Sequence, residues 1–241
     1  VAEITAGAGV TAKGVSNFGA DVLVQSGASI KAGGEGVRAF TPGGGSASIE
    51  NDGAVTAASN GLDAISTGGT ASITNATGAA VTVSGADAGA GLTATGASSN
   101  LVNAGTVSVD SSAGANTAYG LLGSASSAGG SASATNTGTL TVRAGAGMAQ
   151  GLAVGAGDIG SAILSNSGTL SVTAGSGGAA GFYVANAAGV SITDTAALSV
   201  TSTGTNYGVY AASSGASGAI GWPAFSTRRS PLNTLPARIS A

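Results

Sequence analysis

The chain of 241 residues contains no cysteine and no histidine, and only 7% of its residues are charged. Without cysteine, disulfides and cysteine-based metal sites are excluded. Without histidine or cysteine, the nucleophilic triads of the usual hydrolases are excluded as well. An average globular domain is about 25% charged. The composition therefore predicts a protein that is not an enzyme.

Basic residues are too few to form a nucleic-acid-binding surface, and the formal net charge is −3. The sequence has no run of 18 apolar residues, so no membrane-spanning helix is predicted. None of the glycine-rich stretches continues into GK[ST], and GGxGxD calcium repeats are absent. We therefore expect no nucleic-acid partner, no cofactor and no metal ion.

Small residues dominate what is present. The chain has 44 glycines, and 43% of its residues are apolar. Small and β-branched side chains suit close-packed strands, and glycine suits tight turns. The glycines lack the G-X-Y period of collagen, so a triple helix is excluded.

A repeat of about 28 residues organises the chain. Each unit ends on an asparagine, or once an aspartate, that precedes a turn of small residues. These positions are Asn51, Asn75, Asn103, Asn136, Asn166 and Asp194. The regular spacing predicts a structural ladder at a coil corner, in which each side chain bonds to its neighbours above and below. A ligand-binding row of amides is the alternative.

Each unit also holds three short segments in which apolar residues alternate with other residues, the pattern of a half-buried strand. The apolar columns are Val55, Val81, Val107, Leu140, Leu170 and Leu198 in the first segment, Val37, Leu62, Leu92, Leu121, Leu152, Phe182 and Val209 in the second, and Ile49, Ile73, Leu101, Ala134, Leu164 and Ile192 in the third. Three strands per unit can bury these columns together only by winding into a three-sided coil.

The predicted fold is therefore all-β: a right-handed parallel β-helix with three short strands per coil and about seven coils of roughly 28 residues. No stretch keeps a helical period, and the asparagines and glycines are not placed as the repeated hairpins of an antiparallel sandwich require. The repeat region covers residues 1–220. Residues 221–241 break the columns and hold three of the four prolines. We expect this tail to be a linker, a cap or an irregular end.

One group of charged residues could imitate an active site. Polysaccharide hydrolases and lyases need two or three acids on one face, usually with a basic partner. Arg38 and Asp63 share an outward column one coil apart, and Glu50 lies beside the corner Asn51. The favoured interpretation of Arg38 and Asp63 is a surface ion pair. A carbohydrate-active enzyme at these three residues is the alternative.

Two further outward columns carry binding hypotheses. Tyr183 and Tyr210 share a column on adjacent coils, with Tyr119 and Tyr207 nearby. Stacked exposed aromatics can bind a sugar or a partner, although simple cross-strand pairing is favoured. The outward column of the first segment alternates threonine and serine. We expect it to be one residue deep, which does not make the Thr-x-Thr rows of an ice-binding face.

With the units aligned, NTGTLTV at 136–142, NSGTLSV at 166–172 and GLAVGAGDIGSAILS at 151–165 resemble the passenger domains of Gram-negative autotransporters. The resemblance covers about residues 1–220. It implies a β-helical stalk that is exported across the outer membrane, displayed or released at the cell surface, and active in adhesion or aggregation. The partners implied are protein or glycan molecules on host or neighbouring cells.

The family's C-terminal translocation barrel has no counterpart in residues 221–241, which lack the alternating ten-residue strands of such a barrel. We therefore expect the chain to be a fragment, connected to the outer membrane only through a barrel that it does not contain. The resemblance carries no functional residues onto this sequence. The expected function is structural and adhesive.

Overall fold

The computed structural model describes residues 3–6, 10–13, 19–127, 129–155, 159–213, 220–221 and 238–240. These residues form strands and short connections, with no helix among them. All the strand pairs are parallel, and each strand pairs with the equivalent strand of the next repeat unit. The chain thus winds as a β-solenoid of about seven turns with a spacing of about 28 residues, which confirms the predicted fold class.

The strands, numbered in chain order, build three sheets. The first sheet contains β1 (Glu3–Ala6), β4 (Ser29–Ala32), β7 (Ala54–Ala57), β10 (Ala80–Ser84), β13 (Thr106–Ser111), β16 (Thr139–Ala144), β19 (Thr169–Ala174) and β21 (Leu198–Ser202). The second contains β2 (Val10–Lys13), β5 (Val37–Thr41), β8 (Asn60–Ser66), β11 (Ala90–Gly96), β14 (Ala118–Ala125), β17 (Ala149–Val154), the first half of β20 (Ala179–Asp194), β22 (Asn206–Ser213) and β24 (Arg238–Ser240).

The third sheet contains β3 (Ala20–Val24), β6 (Ala47–Asn51), β9 (Thr70–Asn75), β12 (Ser98–Asn103), β15 (Ser131–Asn136), β18 (Ile159–Asn166), the second half of β20 and β23 (Ile220–Gly221). In the coil that holds β20, the second and third sheets run on as one strand of 16 residues. The other described coils have a separate connection at this corner.

The predicted apolar columns line the interior. Leu62, Leu92, Leu121 and Leu152 are paired in register on successive strands, and each has no exposed surface. The third-segment column from Ile49 to Ile192 is at most 2% exposed throughout. One aliphatic residue therefore packs on the next along the whole stack, which supplies the hydrophobic stabilisation of the fold.

From Gly36 to Gly181, the glycine that opens the second segment is required by the packing at the corner between the first and second sheets. A Cβ added to Gly91 would lie 2.4 Å from Val107 Cγ1 and 2.8 Å from the carbonyl oxygen of Gly120. A Cβ at Gly61 would meet Val81 Cγ1 at 2.3 Å. The core side chain of the next coil occupies the space that any larger residue would need.

The predicted tail lies mostly outside the described residues, which include only Gly221 and Arg238–Ser240 of residues 221–241. Gly221 belongs to β23, which pairs with β20. Residues Arg238–Ser240 form β24, which pairs with β22. The boundary at residue 220 stays a prediction.

Candidate functional site

The corner asparagines lie directly above one another where the third sheet turns into the first. Each Nδ2 donates a hydrogen bond to the Oδ1 of the equivalent residue on the next coil, at 2.7–2.9 Å. The row runs without interruption through Asn51, Asn75, Asn103, Asn136, Asn166 and Asp194. The five asparagines have no exposed surface.

The ladder leaves no amide donor for a ligand in its middle coils. The second hydrogen of Asn75 Nδ2 reaches the carbonyl oxygen of Thr106 at 3.3 Å, and Asn103 Nδ2 reaches the carbonyl oxygen of Thr139 at 3.2 Å. Asp194 ends the row as an acceptor and receives hydrogen bonds from Asn166 Nδ2 and the Ala196 amide. These side chains join adjacent coils to one another and hold the corner turns.

The three residues of the predicted active-site cluster do not come together. Arg38 and Asp63 are register partners on β5 and β8, and Arg38 Nε lies 3.6 Å from Asp63 Oδ2. Glu50 is exposed on β6, which belongs to the third sheet. Glu35 takes its place, with Oε2 at 3.4 Å from an Arg38 terminal nitrogen. Sequence reasoning missed Glu35, although its position three residues before Arg38 in the turn ahead of β5 was a usable signal.

Asp63 is buried although it points away from the core, since its side chain is only 7% exposed. The pKa of Asp63 is raised from 3.8 to about 7, mainly by burial and also by the hydrogen bond and the charge of Glu35, while the Arg38 guanidinium opposes the shift. Near neutral pH, a substantial fraction of Asp63 is therefore protonated.

The four tyrosines of the chain converge on the outer side of the second sheet. Tyr183 and Tyr210 stack with ring centroids 4.8 Å apart and planes within 8° of parallel. Tyr207 meets Tyr210 edge-on, at 5.4 Å and 67°. Partial burial raises the pKa of Tyr183, as do its neighbours Tyr210 and Tyr119. The arrangement matches the predicted aromatic pair and extends it to a group of four.

Gln150, which no sequence pattern singled out, stands in register between Tyr119 and Ala180 on the neighbouring coils. Gln150 is 4% exposed, and its Nε2 donates to Met148 Sδ at 3.2 Å. Its Oε1 has no hydrogen-bond partner. A buried acceptor without a hydrogen bond lowers the free energy of unfolding by about 1–3 kcal/mol. The burial of the Gln150 oxygen without a partner is therefore unfavourable for the fold.

The hydroxyl column of the first sheet is wider than expected. Its members lie one above another at Thr56, Thr82, Ser108, Thr141, Ser171 and Ser199. A second, exposed column of Thr106, Thr139 and Thr169 runs beside it. The prediction of a surface one residue deep is therefore wrong over these three coils. Side chains two residues apart along a strand lie on the same face of the sheet. Thr106, Thr139 and Thr169 therefore share a surface with Ser108, Thr141 and Ser171.

No group of three or more His, Cys, Asp and Glu side chains that could hold a metal ion occurs in the part of the chain that the structure describes. Within the same residues, no helix is long and apolar enough to span a membrane. Comparison of the chain with protein-family models, with curated proteins and with solved structures finds no match.

Proposed function

We propose that the chain is a structural and adhesive segment of a cell-surface stalk of the autotransporter type, with no catalytic role. The observation that carries the proposal is the uninterrupted stack: the interior columns and the asparagine ladder repeat from coil to coil among the described residues. The fold is compatible with this function. The location at the cell surface is proposed because the repeats resemble those of autotransporter passengers.

The mechanism is display of repeated outer faces. Each coil repeats the same outward positions, so a weak contact made by one coil is available again on the next at a spacing of about 4.8 Å. Linked weak contacts raise the overall avidity far above the affinity of a single contact. The hydroxyl columns of the first sheet and the tyrosines of the second are such repeated surfaces.

A cell-aggregation assay tests the adhesive function. Bacteria displaying the whole chain on an unrelated surface anchor are compared with bacteria displaying the anchor alone and with a Leu121→Asp variant, whose buried charge disrupts the stack. We expect the intact chain to increase settling of the cells and adhesion to epithelial monolayers. Equal behaviour of the intact chain and the bare anchor in both assays would overturn the proposal.

A carbohydrate-active enzyme is the second candidate, and the raised pKa of Asp63 beside Glu35 and Arg38 is the observation that favours it. The test is incubation of the purified chain with acidic and neutral polysaccharides, followed by measurement of reducing ends and of unsaturated products. Release that disappears in Asp63→Asn and persists in Glu50→Gln would establish the enzyme and displace the adhesive function.

A further inference from the structure

The tyrosines Tyr119, Tyr183, Tyr207 and Tyr210 form a surface, called here the tyrosine surface, that differs from the rest of the exterior. Aromatic residues make up 4% of the chain, and yet all four tyrosines lie on three strands of one sheet, β14, β20 and β22. Because Tyr207 stands at 67° to the stacked pair, the rings form a corner and not a flat plate. A corner of rings can contact two sides of a small ring-shaped ligand.

Gln150 gives this surface a polar group with unused bonding capacity. It lies on β17, between the strands that carry Tyr119 and Tyr183. The Gln150 Oε1 is an unpaired acceptor, and the Gln150 Nε2 donates to Met148 Sδ, which is a weak acceptor. Methionine is unbranched and adaptable, so Met148 can move aside and release the Nε2 end of the amide. A ligand hydroxyl group that bonds to this amide would remove the cost of the unpaired oxygen.

The charge of the surroundings limits the class of ligand. Among the described side chains of β11, β14, β17, β22 and residues 179–187 of β20, none is charged. The charged cluster of Glu35, Arg38 and Asp63 lies at the other end of the same sheet. A neutral ligand would lose no charge solvation on these strands, whereas a sialylated, sulfated or phosphorylated ligand would have to reach Arg238 of β24, the register partner of Tyr210, for a counter-charge.

We propose that the tyrosine surface and Gln150 together bind a neutral, polyhydroxylated glycan. The aromatic corner packs against the apolar C–H face of a pyranose ring, and the Gln150 amide bonds to two of its hydroxyl groups. The site deepens the proposed adhesive function and rests on it, since a glycan site on a surface stalk is the contact by which the stalk adheres.

The test begins with the purified chain on a printed array of neutral, sialylated and sulfated glycans, with immobilised matrix proteins alongside. The strongest neutral glycan is then titrated against four variants. Tyr183→Ala and Tyr210→Ala remove the stacked rings, and Gln150→Met removes the amide with little change in size. Thr74→Ala, at an exposed position of the third sheet, is the matched control. Circular dichroism and the urea midpoint report whether each variant is folded.

We expect neutral glycans to bind, each tyrosine variant to lose about tenfold or more in affinity, and the control to bind as the unaltered chain does. Gln150→Met separates a binding role from a structural one, because deleting an unpaired buried acceptor should leave the fold as stable or more stable while the affinity falls. If Tyr183→Ala or Tyr210→Ala unfolds, Tyr207→Ala replaces it, since it removes the other ring of the corner and is expected to lower the affinity in the same way.

Binding that survives the tyrosine and Gln150 substitutions, a preference for charged glycans, binding to matrix proteins alone, or no binding on the array would each overturn the proposal. The adhesive function is judged separately by the cell-aggregation assay. Cells that aggregate equally with the unaltered chain and with the Tyr183→Ala chain would retain the adhesive function and eliminate this site.

Discussion

The corner asparagines illustrate how polar side chains survive complete burial in this molecule. Five of them have no exposed surface, and four of these bond to the equivalent residues one coil above and one coil below, while Asn51 Oδ1 accepts from the Gly53 amide instead. A buried amide is tolerated when its hydrogen bonds are made and is costly when they are not. The ladder therefore contributes to stability only while it is complete.

Asn103→Ala interrupts the middle of the ladder and leaves the Asn75 amide hydrogen and the Asn136 oxygen without partners. We expect a loss of about 2–4 kcal/mol in the free energy of unfolding, measured by urea titration. Asp194→Ala is the matched control at the half-exposed end of the row, where water can replace the lost acceptor, so its loss should be smaller. Equal losses for the two variants would contradict the account of the ladder.

Asp63 makes the stability of the protein depend on pH. Its pKa is about 7 in the folded chain, above the ordinary value of 3.8, so the folded state binds the proton more tightly than the unfolded state does. The stability that the protonated carboxyl provides is complete below about pH 4 and is lost as the pH rises through 7. Urea midpoints between pH 4 and 8 should fall with pH, and Asp63→Asn should remove most of that slope.

Glu50→Gln serves as the control for this pH dependence, because Glu50 is an exposed carboxylate on the third sheet. Its variant should keep the slope of the unaltered chain. A flat profile in the unaltered chain, or a slope that Asp63→Asn leaves intact, would show that Asp63 is not the titrating group.

At the scale of the strand, one column of glycines determines how closely the first and second sheets meet. Gly61, Gly91 and Gly120 are followed at each coil by a large core residue, and a Cβ on any of them would lie within 3 Å of a core side chain of the first sheet. Close packing means that such a contact is relieved only by moving backbone or neighbouring side chains. The column is thus as necessary to the core as the leucines beside it.

Gly91→Ala should lower the free energy of unfolding by about 1–3 kcal/mol through this overpacking. Gly208→Ala provides a matched control, since Gly208 occupies the same place on β22 and a Cβ there would meet nothing within 4 Å. That variant should be neutral or slightly stabilising, because alanine restricts the unfolded chain. Urea unfolding of the two proteins in parallel checks the difference, and destabilisation by both would refute the steric explanation.

For the whole molecule, the important property is that each coil contacts mainly its two neighbours. Strands pair only with the equivalent strands above and below, and the same register is repeated from coil to coil. Stability in such an array is approximately a sum of coil and interface contributions. Removing an entire coil should therefore be tolerated, whereas removing part of a coil should not.

Deletion of residues 104–136 removes β13, β14 and β15 and joins Asn103 to Thr137, so that one corner asparagine replaces another. We expect the shortened chain to keep its β-sheet circular dichroism and cooperative urea unfolding. Deletion of residues 104–117 removes only β13 and its connection, which shifts the remaining segments out of register, and we expect this chain to aggregate or unfold. Folding of both chains, or of neither, would contradict the modular description.

Much of the architecture was predictable because its determinants are local and repeated. Alternation of apolar residues along Thr106–Ser111 identifies a half-buried strand, and the return of the same alternation at 139–144 and 169–174 indicates stacking in register. The aromatic pair of Tyr183 and Tyr210 followed from the same alignment.

The candidate sites were less predictable, since they depend on the positions of turns and on burial. Glu35 lies in the turn before β5 and contacts Arg38 beside Asp63, whereas Glu50 lies on the third sheet although it adjoins Asn51 in sequence. Gln150 gave no signal at all, because the unpaired state of a side-chain oxygen depends on every group packed around it.

The sequence by itself determined the repeat, the inward columns and the corner asparagines, because a strand's period of two and a constant coil length are properties of the linear pattern. Which side chains meet across coils and which are covered depends on the tertiary structure, as for the raised pKa of Asp63, the buried amide of Gln150 and the second column of threonines. The reason is that burial and contact are set by the stacking of whole coils and by the path of each turn, neither of which a single segment contains.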